Sequence, residues 1–297
     1  MNVTFGDVVD PGAAPSLVPL ADLALVDPGL VGGKARGLAT LAAAGLAVPE
    51  GFVVTTAAHR AARANGGGGA VPAALAEAVG ARLEPFGEGP YAVRSSAADE
   101  DGADRSNAGQ YATLLGVSRA GVVAAISECW RSAEGERAGA YRRAGGEERP
   151  PPDMAVLVQR LAPAEASGVV FTVDPLSGDA AALVVNASWG LGETVVSGIV
   201  TPDEYRVARA DGRLLRFAPG WKDVMLVHDG AEVREVEVPP ERREAPALDP
   251  GVLEAVRLGA LSCEALLERP ADLEFCTIGG EVRWLQCRPI TALAPAG

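Results

Sequence analysis

Short β-branched runs alternate along this chain with stretches of helical periodicity, and glycine-bearing turns join several of those runs directly. Phe52–Thr55, Tyr91–Val93, Met154–Gln159, Gly168–Val173 and Leu183–Asn186 read as strands. Lys34–Ala44, Ala73–Leu83, Ala120–Ala144 and Leu253–Leu267 carry helical spacing, the first closing at Gly45. Asp211-Gly212 and Asp229-Gly230 mark two hairpin turns, and a last hairpin runs from Ala271 to Arg288 around Gly279-Gly280. Hairpins among interspersed helices argue against a doubly wound parallel sheet. They favour an α+β (mixed α/β) fold, expected here with a mixed sheet. Gly66–Gly69 and Gly145–Asp153 (GGEERPPPD) are loop chemistry. The second of these is the expected boundary between a unit at 1–150 and one at 151–297.

Charge narrows the partners. Thirty-nine acidic residues against 26 Lys and Arg leave a net charge of −13 over 297 residues, a poor match for nucleic acid or an anionic membrane. An anionic ligand would need a local cluster of cations working against that field. No stretch approaches the roughly 18 apolar residues of a membrane span, and the N-terminus lacks a secretory pattern. The four cysteines form no C-x-x-C and read as buried thiols of a cytoplasmic protein.

Four segments carry candidate chemistry. Gly32-Gly33-Lys34 at a helix start suits phosphate approach, although it is no Walker A loop because Ala35 stands where a hydroxyl would hold magnesium. A capped surface helix explains it equally well. In Tyr91-Ala-Val-Arg94-Ser95-Ser96 a strand-end arginine can offer a fork of donors to phosphate oxygens, or pair with Asp99–Asp101. Trp189-Gly190-Leu-Gly192-Glu193 is glycine-rich without being a dinucleotide fingerprint. Its glycines show only close backbone approach, to a ligand or to a neighbouring strand. His59 and His228 sit near no nucleophile pattern and read as surface or filler residues.

The final hairpin says most. Strand alternation puts Asp272, Glu274 and Cys276 on one face, and Trp284, Gln286 and Arg288 on one face of the partner run. A two-residue loop at Gly279-Gly280 would pair Glu274 with Leu285 and scatter the polar groups. A three-residue loop, Gly279–Glu281, pairs Glu274 with Gln286 and Asp272 with Arg288, and this loop is the expectation. Such a face suits a hard cation with attached phosphates; the plain alternative is a solvated face with a cross-strand ion pair.

Taken together, VGGKARGLATLAAAGLAVPEGFVVTT, YAVRSSAADEDGADRSNAGQYATLLGV, MAVLVQRLAPAEASGVVFTVDPLSG, ASWGLGETVVSGIVTPDEY, GWKDVM and ADLEF…WLQCRPIT resemble, in family order, the N-terminal ATP-binding (ATP-grasp) domain of phosphoenolpyruvate synthase, pyruvate phosphate dikinase and rifampin phosphotransferase. The resemblance implies a two-lobed ATP-grasp fold with lobes at 1–150 and 151–297. It implies triphosphate-binding and catalytic roles for Lys34, Arg94 and Arg288, and nucleotide contacts at Gly109, Thr113 and Gln159, the last on the adenine side. Glu274 and Gln286 would hold magnesium, with Arg288 on the phosphates and Asp272 as a weaker addition. ATP and Mg2+ are therefore the expected cofactors.

Three departures from the family pattern stand out. Thr56–Tyr91 is short, Gly102–Asn107 is unusually polar, and the sequence stops after Q-C-R-P-I-T without the family's swivelling histidine domain. The expectation is a subunit that cleaves ATP to AMP and phosphate and phosphorylates a histidine on a separately encoded carrier domain, ahead of a small-molecule final acceptor. The rivals are a stand-alone kinase or ligase acting directly on a small molecule, and a non-catalytic nucleotide-binding module.

Overall fold

Met154, Val156 and Val158 bury toward one side of their strand and Ala155 and Leu157 toward the other, so this run sits in the middle of a sheet. The computed structural model describes residues 14–64, 69–97, 112–143, 153–229 and 232–290, without the side chains of 134–143. In chain order the first elements are β1 (Leu17–Pro19), α1 (Gly32–Ala43), β2 (Gly51–Val54), α2 (Thr56–Ala64), α3 (Ala73–Leu83), β3 (Tyr91–Ala97), β4 (Thr113–Val117), α4 (Val122–Arg143) and β5 (Met154–Arg160). Then come β6 (Ala166–Phe171), β7 (Ala182–Trp189), α5 (Glu193–Val196), β8 (Asp203–Ala208), β9 (Leu214–Ala218), β10 (Val224–His228) and β11 (Val233–Glu237). The last three are α6 (Pro250–Leu267), β12 (Ala271–Ile278) and β13 (Glu281–Pro289).

The first sheet has the order β1-β2-β5-β3-β4 and the second β13-β12-β6-β7-β8-β9, with β10-β11 a separate ribbon. Every ladder among the described residues is antiparallel. The expected mixed sheet is thereby corrected to two antiparallel ones, and the mixed helix-and-strand class holds as α+β. The first sheet reaches past the proline run, because β5 is its central strand.

Helices α2, α3 and α4 cover one face of the first sheet through Ala58, Val79, Ile126 and Trp130. The fully buried Val79 and Ile126 side chains contribute roughly 1.5–3 kcal/mol each. Helix α1 lies on the opposite face, where Ala35, Leu38 and Leu41 join Val53 and Leu157 in one core that continues into Val170, Leu273 and Trp284 of the second sheet. A Cβ at Gly37 would stand 2.1 Å from the Cys287 carbonyl oxygen. The α1 backbone thus packs directly on β13, and one helix joins the two sheets.

Both long-range helices have defined ends. Leu46 N–H donates to Leu41 O at 3.1 Å and Gly45 N–H to Ala42 O at 3.0 Å, closing α1 at the glycine the sequence marks. Asp249 caps α6 by accepting from Val252 N at 2.9 Å, ahead of Pro250.

Candidate functional site

Helix α1 has no side-chain cap of its own. Its first turn is held from β3: Ser96 Oγ donates to Val31 O at 2.9 Å and accepts from Ala35 N at 3.4 Å. Gly32 makes the approach possible, since it has φ +74° and a Cβ there would lie 2.1 Å from Ser96 O. The glycine-lysine segment and the arginine-serine segment are therefore one assembly, with Lys34 in the first turn of the helix that Ser96 caps.

Arg94 shares a strand face with Ala92 and Ser96, opposite the face that carries Tyr91 and Val93 into the α4 side of the core. Its cross-strand partner on β4 is Thr113, which is exposed. Gln159, paired with Ala92, lies on this same face of the first sheet. It is buried and donates through Nε2 to Pro49 O at 3.1 Å. Gly109 lies outside the described residues, as do Gly66–Gly68, the 102–107 loop and the run 144–152.

On the second sheet, Glu274 is the cross-strand partner of Gln286, and Asp272 that of Arg288. Arg288 donates to Asp272 Oδ2 from Nε at 2.8 Å and from Nη2 at 2.7 Å, while its side chain stays 43% exposed. The expected pairing is present, but the expected loop is corrected. Ile278 pairs with Glu281, so Gly279-Gly280 is a two-residue turn with φ +58° and +76°. The offset comes from a bulge: Glu274 faces Gln286 while Phe275 faces Trp284, leaving Leu285 as the extra residue. The bulge also moves Trp284 off the polar face. It is buried against Phe275, ring centroids 6.0 Å apart, on the core side.

The electrostatics link the two sheets. Burial pushes the Cys276 thiol up to about 12, against the opposing fields of Arg94 and Arg283. Arg94 of the first sheet therefore acts on the same face of β12 that carries Glu274. Its Nε is buried and has no hydrogen-bond partner, a donor without an acceptor. Burial likewise pushes Cys129 up to about 12, opposed by Lys34. Arg94 thus stands on the first sheet's side with its field reaching the β12 face that carries Glu274, while Lys34 lies in the first turn of α1 with its field reaching Cys129 of α4.

Three features had no site role assigned to them from the sequence. Ala92, Leu161 and Leu191 form an apolar cluster with Leu115, Leu226 and Val233 beside the Arg94 face. The β10–β11 ribbon closes it, for Leu191 N–H donates to Leu226 O at 2.8 Å and a Cβ at Gly190 would lie 2.3 Å from that oxygen. Gly190 thus serves a neighbouring strand. Asp203 and Lys222, from two of the matched motifs, form a fully buried ion pair. Asp203 also accepts from Gly220 N and Ala247 N, each at 2.8 Å. His59 is buried, not at the surface: its Nδ1 accepts from Met154 N at 3.1 Å and its ring sits 5.0 Å from Trp130. Among the described residues no three His, Cys, Asp or Glu gather as a metal-holding group, and no helix is long and apolar enough to cross a membrane.

Comparison with known proteins decides the family. The model of the pyruvate phosphate dikinase AMP/ATP-binding domain matches residues 67–296. The chain belongs to this family. Among relatives of this pyruvate phosphate dikinase-type domain, the prodigiosin synthesizing transferase PigC of Serratia marcescens is 36% identical over 94% of the chain and 33% of its own length. A rifampicin phosphotransferase of Streptomyces sviceus is 40% identical over 76% of the chain and 26% of its own length. A probable phosphoenolpyruvate synthase of Methanothermobacter thermautotrophicus is 33% identical over 91% and 45%. The chain thus spans less than half the length of each of these relatives.

Proposed function

We propose that this chain binds magnesium-ATP between its two sheets in an ATP-grasp arrangement, cleaves it to AMP and phosphate, and passes a phosphoryl group to a histidine of a separate carrier domain that serves a small-molecule acceptor. The observation that carries the reading is the unpartnered, buried Nε of Arg94 in the field of β12, where Glu274 and Gln286 pair. Lys34 and Arg94 would neutralise phosphate charge from the first sheet, and Arg288, oriented by Asp272, from the second. Thr113 and Gly109 would contact the phosphates, and Gln159 the adenine side, beside the apolar cluster of Leu161 and Leu191. Phosphoryl transfer depends mainly on such positioning and electrostatics.

Magnesium fits the donor set. A carboxylate and an amide oxygen, completed by substrate phosphates and water, match its preference for few protein ligands. Glu274 and Gln286 would hold it, and Asp272 drops out because Arg288 already occupies it. When bound, the ion would offset charge on the phosphate oxygens. The buried, free cysteines suit a reducing, cytoplasmic setting.

Calorimetric titration with a non-hydrolysable ATP analogue and magnesium tests the site. Saturable binding that weakens tenfold or more in Lys34→Ala and in Arg94→Ala, about 1.4 kcal/mol each, supports it. Unchanged affinity in both variants removes these residues from the site.

A further inference from the structure

The β10–β11 ribbon has two faces. Leu226 packs on the apolar cluster beside Arg94, and strand alternation turns Met225 and Val227 the other way. Those two residues line a cavity of about 510 Å³, a volume within the range of small-molecule sites. Trp189 at the end of β7, with Leu248 and Val252 at the start of α6, extends the apolar lining. Thr277 also lines it, three residues along β12 from Glu274 and therefore on the opposite face of that strand. The cavity thus lies on the α6 side of the second sheet, away from the face that carries Glu274.

One cation borders the cavity, and it is held in place from two sides. Trp189 Nε1 donates to Arg242 O at 2.9 Å, and the Arg242 guanidinium lies over the Trp189 ring, 4.0 Å from its centroid. Among the described residues that guanidinium has neither a carboxylate partner nor a hydrogen-bond acceptor. Its neighbour Arg243, by contrast, is spent on Val238 O and Glu237. Two carboxylates reach the lining as well, each already engaged. Glu165 Oε2 accepts from Gly280 N at 3.2 Å, and Asp249 Oδ1 from Val252 N at 2.9 Å.

We propose that this cavity binds a small organic monocarboxylate, with its apolar body against Met225, Val227 and Val252 and its carboxylate on the Arg242 donors. A guanidinium presents a planar fork that matches the two oxygens of a carboxylate, and a methionine in the lining adapts to bodies of different shape. Glu165 and Asp249 limit the charge that can enter. Arg242 offsets one negative charge, whereas a phosphate monoester would bring a second toward two carboxylates, and like charges brought together cost binding energy. None of the residues proposed above for the nucleotide or the metal lines the cavity, so this site stands or falls separately from that reading.

Calorimetric titration of the full chain with octanoate, cinnamate and indoleacetate, each beside its primary amide, and with phenyl phosphate is the test. The expected result is saturable binding of at least one acid, about tenfold or more tighter than its amide, with phenyl phosphate weaker than that acid. Arg242→Met keeps an apolar stem over Trp189 and loses the donors, so it should bind acid and amide alike while its melting temperature stays unchanged. Should that variant not fold, Val227→Phe decides, since a ring that fills the cavity should abolish acid binding. Absence of saturable binding by all three acids, equal affinity for acid and amide, tighter binding of phenyl phosphate, or discrimination that survives in Arg242→Met overturns the proposal, as does acid binding that survives Val227→Phe. A chain that binds the acid and no ATP analogue supports the cavity and contradicts the nucleotide site instead.

Discussion

Ser96 Oγ donates to the carbonyl of Val31 at 2.9 Å, so the strand that carries Arg94 caps the helix that carries Lys34. Two motifs some sixty residues apart are thereby fixed relative to each other before any ligand arrives. Such preorganisation spares a site the cost of assembling its cations around a phosphate chain.

Gly32→Ala tests that assembly. A methyl at φ +74° and 2.1 Å from Ser96 O cannot be accommodated without moving α1, and the expected loss is about 2–3 kcal/mol. Thermal unfolding reads the stability, and weaker ATP-analogue binding should accompany it. Ser96→Ala removes the cap alone and should cost about 1–2 kcal/mol.

Glu274→Gln tests the oxygen-rich face. Glu274 is only half-buried, so the fold should survive with little change in melting temperature. Magnesium-dependent ATP turnover should fall roughly 100-fold or more, the scale on which lost charge stabilisation acts. A variant that keeps its turnover takes Glu274 out of the metal site.

Lys222→Met tests the buried pair with Asp203. Both side chains are fully buried, so the substitution leaves an uncompensated carboxylate inside the second sheet and should cost about 3–5 kcal/mol by denaturant unfolding. An exposed ion pair would cost under about 1 kcal/mol.

Acid should unfold the first sheet's core through His59. Burial, helped by Arg63 and opposed by Asp153, lowers this ring from 6.5 to about 4. The folded chain resists a proton that the unfolded chain accepts. The contribution is therefore whole above pH 6.5, declines as pH falls from 6.5 to 4, and amounts to up to ~3 kcal/mol. Urea unfolding at pH 7.5 and pH 5 checks it, and His59→Gln should flatten the slope.

Much of this was legible in residues, and the losses have physical causes. Alternation alone put Glu274 beside Gln286 and Asp272 beside Arg288, because only one register collects the polar groups. The means of reaching that register was misread. The offset comes from a bulge at Leu285 beside a two-residue turn, and a leucine in a bulge looks like any strand leucine. Trp284 was placed on the wrong face for the same reason. The pairing of Asp203 with Lys222 was not legible, since nothing local marks a contact between residues nineteen apart. Ser96 follows Arg94 in the same motif, and nothing local shows that its hydroxyl is used on α1.

Phosphorus NMR of magnesium-ATP with this chain, alone and then with a histidine-bearing carrier domain, tests the central claim most directly. AMP and phosphate that appear only with the carrier, together with a phosphohistidine resonance, are the expected result. ADP as product, or AMP formation that needs only a small molecule, would contradict transfer through a carrier and assign the chain to direct kinase or ligase chemistry.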